Sequence, residues 1–227
     1  MEGKKVQKSI KRIMDIVISL IVLIPFLLIW LTIAILIKAT SKGPIFFLQD
    51  RPGLNKQIFK VYKYRTMKPG SEKMVKGQEV MKDDDRITSI GKFLRRTKLD
   101  EIPQVINVLK GEMSLVGPRP ERVASLEDYD DEITKRLHMM PGMTGLAQVS
   151  GNIHLSLEER YKLDVYYVEN YSLIMDLKII LRTVGVVLLG EDRYLNKSLV
   201  DIESVNKEVA AAKEEAVSNE KNPNNRG

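Results

Sequence analysis

The sequence predicts a mainly α-helical chain with one small β-hairpin, entered through a kinked membrane helix. Three observations predict it. An almost wholly apolar block runs from Ile13 to Ile37 and is interrupted by Pro25. Two short runs rich in aromatic and β-branched residues flank the turn chemistry of Arg51-Pro52-Gly53-Leu54-Asn55. Further on, apolar residues recur at the spacing of a helix face.

The apolar block comes first. As one straight helix its roughly 25 residues would rise about 37 Å, enough to cross a bilayer. Pro25 lies at its midpoint and removes a backbone donor, which kinks the helix and leaves two halves of about 18 Å each. Both flanks are basic, with Lys4, Lys5, Lys8, Lys11 and Arg12 before it and Lys38 and Lys42 after. A spanning helix has one basic cytoplasmic end, whereas a hairpin dipping in and out has two. A spanning and a re-entrant helix both stay open on the residues alone. A cleaved signal peptide fits poorly, because the stretch is too long and no small-residue cleavage site follows.

Beyond the block, Pro44 to Gln49 and Gln57 to Met67 read as the strands of the hairpin. Met67 to Asp85 is polar and rich in Gly, Lys and Asp, a loop. Ile87 to Thr97 reads as a short basic helix. From Asp100 to Gly111, Ile102, Val105, Ile106 and Leu109 fall at i, i+3, i+4 and i+7 and predict one buried stripe. Pro103 suits only the first turn of that helix and Gly111 its C-terminal stop. Gln104 and Asn107 are expected on its polar face with Asp100. Pro141 to Gln148 is a glycine-bearing loop. Leu155 to Val168 and Leu173 to Leu189 read as helices, the second a core or in-plane interfacial helix because Asp176, Lys178 and Arg182 burden it against spanning lipid. The order divides into residues 1–40 with the membrane helix, a globular domain at 41–200, and a charged tail at 201–227 expected to be disordered.

The totals narrow the chemistry. The chain has 227 residues, 44% of them hydrophobic, and a net charge of +6, which suits nucleic acid, anionic lipid or a phosphorylated substrate. The apolar block favours lipid over nucleic acid. With no cysteine and only His138 and His154, disulfides are excluded, and a histidine-built zinc site or a Ser-His-Asp triad is disfavoured. A metal, if used, is a hard cation on oxygen ligands.

One segment carries a sharper signal. Lys98-Leu99-Asp100-Glu101-Ile102-Pro103-Gln104 places two adjacent carboxylates at a helix start, after Arg95-Arg96 and before Gly117-Pro118-Arg119-Pro120. Adjacent acids there are commonly caps. Carboxylates among arginines also suit phosphoryl transfer, where positive charge must meet the phosphate. Tyr166, Tyr167 and Tyr171 are read as core or interfacial aromatics rather than base-stacking groups.

The stretch Lys98 to Pro120 resembles the signature of the bacterial sugar transferase family, the monotopic phosphoglycosyl transferases, and its small members in particular. Asn107-Val108-Leu109-Lys110-Gly111 and Ser114 to Pro120 belong to the match. So do Asp50 to Leu54, Lys63-Tyr64-Arg65-Thr66-Met67, Pro141 to Gly151 and Asp164 to Tyr167. The resemblance runs from Lys11-Arg12 to about Leu189. It implies a re-entrant membrane helix broken at Pro25, with Ile24-Pro25 where the family usually has Ser-Pro. It implies transfer of a sugar-1-phosphate from a UDP-sugar to polyprenyl (undecaprenyl) phosphate at the cytosolic face of the bacterial inner membrane, releasing UMP and starting a lipid-linked glycan that downstream glycosyltransferases extend. Asp100 would be the nucleophile and form an aspartyl-phosphosugar intermediate. Mg²⁺ would be held by Asp100 and Glu101, and Arg95 and Arg119 would bind substrate phosphate. Lys11 and Arg12 would meet the lipid phosphate or, as plainly, signal topology. Asn152 departs from the family's usual arginine. Two rivals stand beside this reading: a non-catalytic membrane adaptor, which has no need of the acidic pair and its arginines, and a nucleotide-sugar phosphodiesterase, which has no need of the lipid-embedded N-terminus.

Overall fold

A computed structural model describes residues 2–71, 84–190, 192–194, 198–201 and 204–205. Most of the expected loop at 67–85 and of the tail at 201–227 lies outside the described residues. The chain divides into two compact units: Met1–Leu115 with Pro120–Leu126, and Val116–Arg119 with Glu127–Gly227.

The first unit opens with α1 (Glu2–Leu23) and α2 (Leu27–Thr40), bent by 67° across the intervening break. Pro25 has no N–H to continue the ladder, and the turn closes instead through Ile24 N to Leu20 O at 3.0 Å and Leu27 N to Ile24 O at 3.3 Å. Among the described residues no single helix is long and apolar enough to cross a membrane; the bent pair meets that test only together. Apolar side chains around the bend lie in the open, Ile24 at 67% and Leu28 at 77% exposure. On α2, Ile33 and Ile37 turn inward and pack with Tyr64 and Leu94 into a core. Tyr64 also donates to the Trp30 carbonyl at 3.1 Å, and burial pushes its hydroxyl pKa up to about 12.

The hairpin consists of β1 (Phe46–Pro52) and β2 (Ile58–Tyr64), antiparallel, with Phe46 opposite Tyr64 and Pro52 opposite Ile58. The first strand therefore runs on through Arg51-Pro52, which the sequence assigns to the turn. The reversal falls on Gly53–Gln57, where Asn55 and Lys56 take positive φ and Gly53 N donates to Gln57 O at 2.8 Å. Next, α3 (Ser89–Arg96) starts at Thr88, whose side chain caps Gly91 N.

The expected helix over Asp100–Gly111 is two elements. A 3₁₀ turn spans Leu99–Glu101, and α4 (Gln104–Lys110) begins only after Pro103. Pro103 stands at the N-cap, so the acidic pair sits one turn ahead of the helix rather than in it. Gly111 closes α4 in the left-handed region at φ +81°, as its position in the sequence implies. The buried face also differs. Gln104, Val105, Asn107 and Val108 are buried, while Ile102, Ile106 and Leu109 are only half-buried. Asn107 is inward because its carboxamide completes the edge of β2: it accepts from Tyr62 N at 3.0 Å and donates to Lys60 O at 2.8 Å.

In the second unit, β4 (Gly142–Thr144) pairs with the segment Val116–Pro118 that ends β3 (Ser114–Val116). Gly117 N donates to Thr144 O and Gly142 N to Pro118 O, both at 2.9 Å. Short helices α5 (Asp131–Thr134) and α6 (Leu146–Val149) lead to α7 (Leu157–Glu169) and α8 (Leu173–Leu189). Ser156 and Glu159 form a reciprocal capping box at the start of α7. α8 has the limits the sequence predicts. Its Asp176 is buried and accepts from the Tyr167 hydroxyl at 2.6 Å, which makes Tyr167 a core residue.

Candidate active site

The acidic pair is built on a tight turn. Lys98 enters it in the left-handed region at φ +56°, and Glu101 N and Ile102 N close it onto Lys98 O and Leu99 O, each at 3.3 Å. A lysine there carries roughly 1–2 kcal/mol of backbone strain. The turn packs against β2 and α3, and charged side chains from both elements act on it. Lys63 of β2 donates to Glu101 Oε1 at 2.7 Å, with both side chains about three-quarters buried. Asp100 has its pKa raised, first by burial and then by the neighbouring Glu101 charge; Lys63 and Arg95 act against that rise. A largely buried carboxylate beside a second acid, with Lys63 and Arg95 acting on it, has the perturbed electrostatics that cluster at functional sites.

Arg95 projects from the last turn of α3 and donates its Nε–H to Thr66 Oγ1 at 2.9 Å. Its charge reaches Asp84 as well, but Asp84 is already neutralised by Arg86 at 2.5 Å and held down at about 2. Arg12 of α1 is not turned toward solvent. It donates to the carbonyls of Val108 and Leu109, at 2.5 and 2.9 Å, and so caps the C-terminus of α4. Lys11 beside it is only 7% exposed. One turn on, buried Asp15 accepts from Ser114 Oγ at 2.8 Å and Leu115 N at 3.0 Å. Arg12 and Asp15 thus tie α1 to the segment that follows the acidic pair. Arg65, just past β2, ties that strand to the end of α2 by donating to the carbonyls of Ser41 and Lys42.

Arg119 lies in the second unit and is half-buried. Its carbonyl accepts from Arg136 Nη2 at 2.7 Å. Arg136 is itself buried, paired with Asp164, bonded to the Tyr129 hydroxyl and set over the Tyr161 ring. Asn152 adopts φ +48° after Gly151, a conformation asparagine tolerates better than arginine does. Lys63, Thr66, Arg136 and Asp164 were not singled out from the sequence. Lys63 and Thr66 stand in the Lys63–Met67 block, whose match to the family was the available signal.

The model of the family described as bacterial sugar transferase matches residues 6–190. This chain belongs to that family. The match begins in α1 and ends just past α8, so it takes in the break between α1 and α2, the acidic turn and the helices up to α8. Among sugar transferases of known sequence, the chain is 46% identical over 159 residues to the galactosyl transferase CpsE of Streptococcus agalactiae, covering 65% of this chain and 35% of that protein. It is 40% identical over 183 residues to the sugar transferase EpsL of Bacillus subtilis, covering 80% and 89%. It is 41% identical over 194 residues to the UDP-glucose:undecaprenyl-phosphate glucose-1-phosphate transferase of Klebsiella pneumoniae, covering 81% and 41%. The chain therefore spans nearly all of one of these bacterial sugar transferases and well under half of the other two.

Proposed function

We propose that this chain transfers a sugar-1-phosphate from a UDP-sugar to polyprenyl phosphate at the cytosolic face of a bacterial membrane. The observation that carries this reading is the turn bearing Asp100 and Glu101, with its desolvated carboxylate and its lysine-tethered neighbour, in a bacterial sugar transferase. The name of the Klebsiella relative supports the donor and acceptor classes.

In this reading an Asp100 oxygen attacks the β-phosphorus of the UDP-sugar. The bond from that phosphorus to the bridging oxygen breaks, and UMP leaves with the electron pair. The sugar-1-phosphate is then held as an acyl phosphate. An oxygen of polyprenyl phosphate attacks the same phosphorus, the carboxylate leaves, and Asp100 is restored with a polyprenyl diphosphate-sugar released. Lys63 holds Glu101 in place and, with Arg95, acts against the rise in the Asp100 pKa that burial and Glu101 produce. Arg95, at the end of the helix packed on the acidic turn, carries phosphate charge. Among the described residues no group of three or more potential ligands surrounds a metal position. Two adjacent carboxylates whose charges already oppose one another fit Mg²⁺, which is commonly held by one or two carboxylates plus substrate phosphates. Asp100 and Glu101 would hold it, and its contribution would be neutralisation of diphosphate charge. The bent α1–α2 pair, with exposed apolar residues at its tip, supports a re-entrant anchor that brings the lipid acceptor to the site.

The test is UMP release by the purified chain in lipid nanodiscs with Mg²⁺, a panel of UDP-sugars and polyprenyl phosphate. Turnover that requires the lipid acceptor is expected. UMP formed in excess of enzyme without acceptor supports a phosphodiesterase instead, and no UMP from any sugar supports an adaptor.

A further inference from the structure

Both ends of α3 converge on one residue outside the acidic turn. At its start, Thr88 N donates to the Thr66 carbonyl at 2.9 Å and Thr88 Oγ1 lies 3.2 Å from the same oxygen. Gly91, one turn in, lies so close that a Cβ there would sit 2.0 Å from Thr66 O, so α3 rests directly on this peptide. At its end, Arg95 Nε donates to Thr66 Oγ1 at 2.9 Å. Thr66 is 6% exposed and therefore fixed by its surroundings. A guanidinium has five N–H donors in a planar fork. With the Nε–H spent on Thr66, the four N–H groups of its two terminal nitrogens remain, and among the described residues they make no hydrogen bond or ion pair. Arg95 stands at the end of α3, which packs against the turn that carries Asp100, and its charge acts on that carboxylate.

We propose that Thr66 is a positioning residue that orients the Arg95 guanidinium so that its terminal amino groups receive the diphosphate of the nucleotide-sugar donor. This rests on the reading of Arg95 as a phosphate ligand. A hydroxyl on a buried, doubly anchored residue fixes the plane of the fork before the substrate arrives, which removes the rotamer entropy a free arginine would lose on binding.

The test is steady-state UMP release by the full chain in nanodiscs, with KM measured separately for the UDP-sugar and for polyprenyl phosphate. Thr66→Val keeps the shape and removes the acceptor. It is expected to raise the donor KM about tenfold, the worth of one such bond, with kcat and the lipid KM nearly unchanged. Thr66→Ser, which keeps the hydroxyl, restores the donor KM. In an Arg95→Ala background Thr66→Val adds nothing, because its effect passes through Arg95. If Thr66→Val lowers the yield of folded protein, Thr66→Ala removes the hydroxyl without a new methyl and must give the same KM change. An unchanged donor KM in Thr66→Val, an effect on the lipid KM instead, or a loss that persists without Arg95 overturns the proposal. If Arg95→Ala itself leaves the donor KM intact, the phosphate reading of Arg95 falls and the proposal falls with it; if only the Thr66 variants are silent, the phosphate reading stands.

Discussion

Replacing Lys63 by methionine isolates the electrostatics of the acidic turn. Its ammonium lies 2.7 Å from Glu101 Oε1, and the two side chains are 21% and 23% exposed, so solvent screens them only in part. A charge-assisted bond in such a setting is worth about 1.5–3 kcal/mol net. Its loss from the reactive geometry corresponds to about a ten- to hundredfold fall in kcat/KM. The pH profile gives the more specific signature. Lys63 acts against the raised pKa of Asp100, so its removal raises that pKa further. The nucleophile must be ionised, and the acidic limb of kcat/KM therefore moves to higher pH. Lys63→Arg keeps the charge and should return the limb toward its original place. The assay is UMP release at subsaturating UDP-sugar across about pH 5 to 9. An acidic limb that stays fixed or moves down in Lys63→Met would refute the coupling of Lys63 to Asp100.

Three further outcomes follow from the same geometry. Asp100→Asn should abolish turnover yet stabilise the fold. The folded state binds the Asp100 proton more tightly than the unfolded state does, so stability falls as pH rises through the interval between the ordinary carboxylate range and the raised pKa. The melting temperature of Asp100→Asn should exceed that of the native chain at about pH 8 and coincide with it at about pH 3; equal melting curves at both would contradict the burial argument. Arg12→Ala should cost about 2–3 kcal/mol by uncapping Val108 and Leu109, measured by thermal melting in detergent. An intact melting temperature with a raised lipid KM would assign Arg12 to the lipid phosphate instead. Lys98→Gly should relieve the left-handed strain and gain up to about 1 kcal/mol after the entropy of glycine is subtracted, whereas Lys98→Val should lose stability; a valine as stable as the lysine would show that the turn carries no strain.

Several elements were legible because local chemistry decides them. Pro25 breaks the apolar block wherever the rest of the chain lies, since it has no N–H to give. Gly111 ends α4, and the limits of α8 follow from its apolar run. The error on α4 has an equally plain cause. Periodicity ranks apolar residues as buried, but Asn107 earns its burial by completing the hydrogen bonds of β2, which no one-dimensional pattern records. In the same way the hairpin was found but its turn was placed too early, because Pro52 is acceptable at a strand end and only pairing with Ile58 shows that it lies there.

The sequence by itself determined the family, the kinked apolar entry and the acidic pair, because each is a contiguous run whose chemistry does not depend on distant partners. Tertiary structure decided what those residues face. It set Asp100 and Glu101 on a strained 3₁₀ turn ahead of α4, brought Lys63 from β2 and Arg95 from α3 to bear on them, and turned Arg12 and Asp15 inward as clamps. Charges and hydrogen bonds act through a few ångströms of space, and residues as distant in the chain as Lys63 and Glu101, or Arg12 and Leu109, meet across such distances only once the chain has folded.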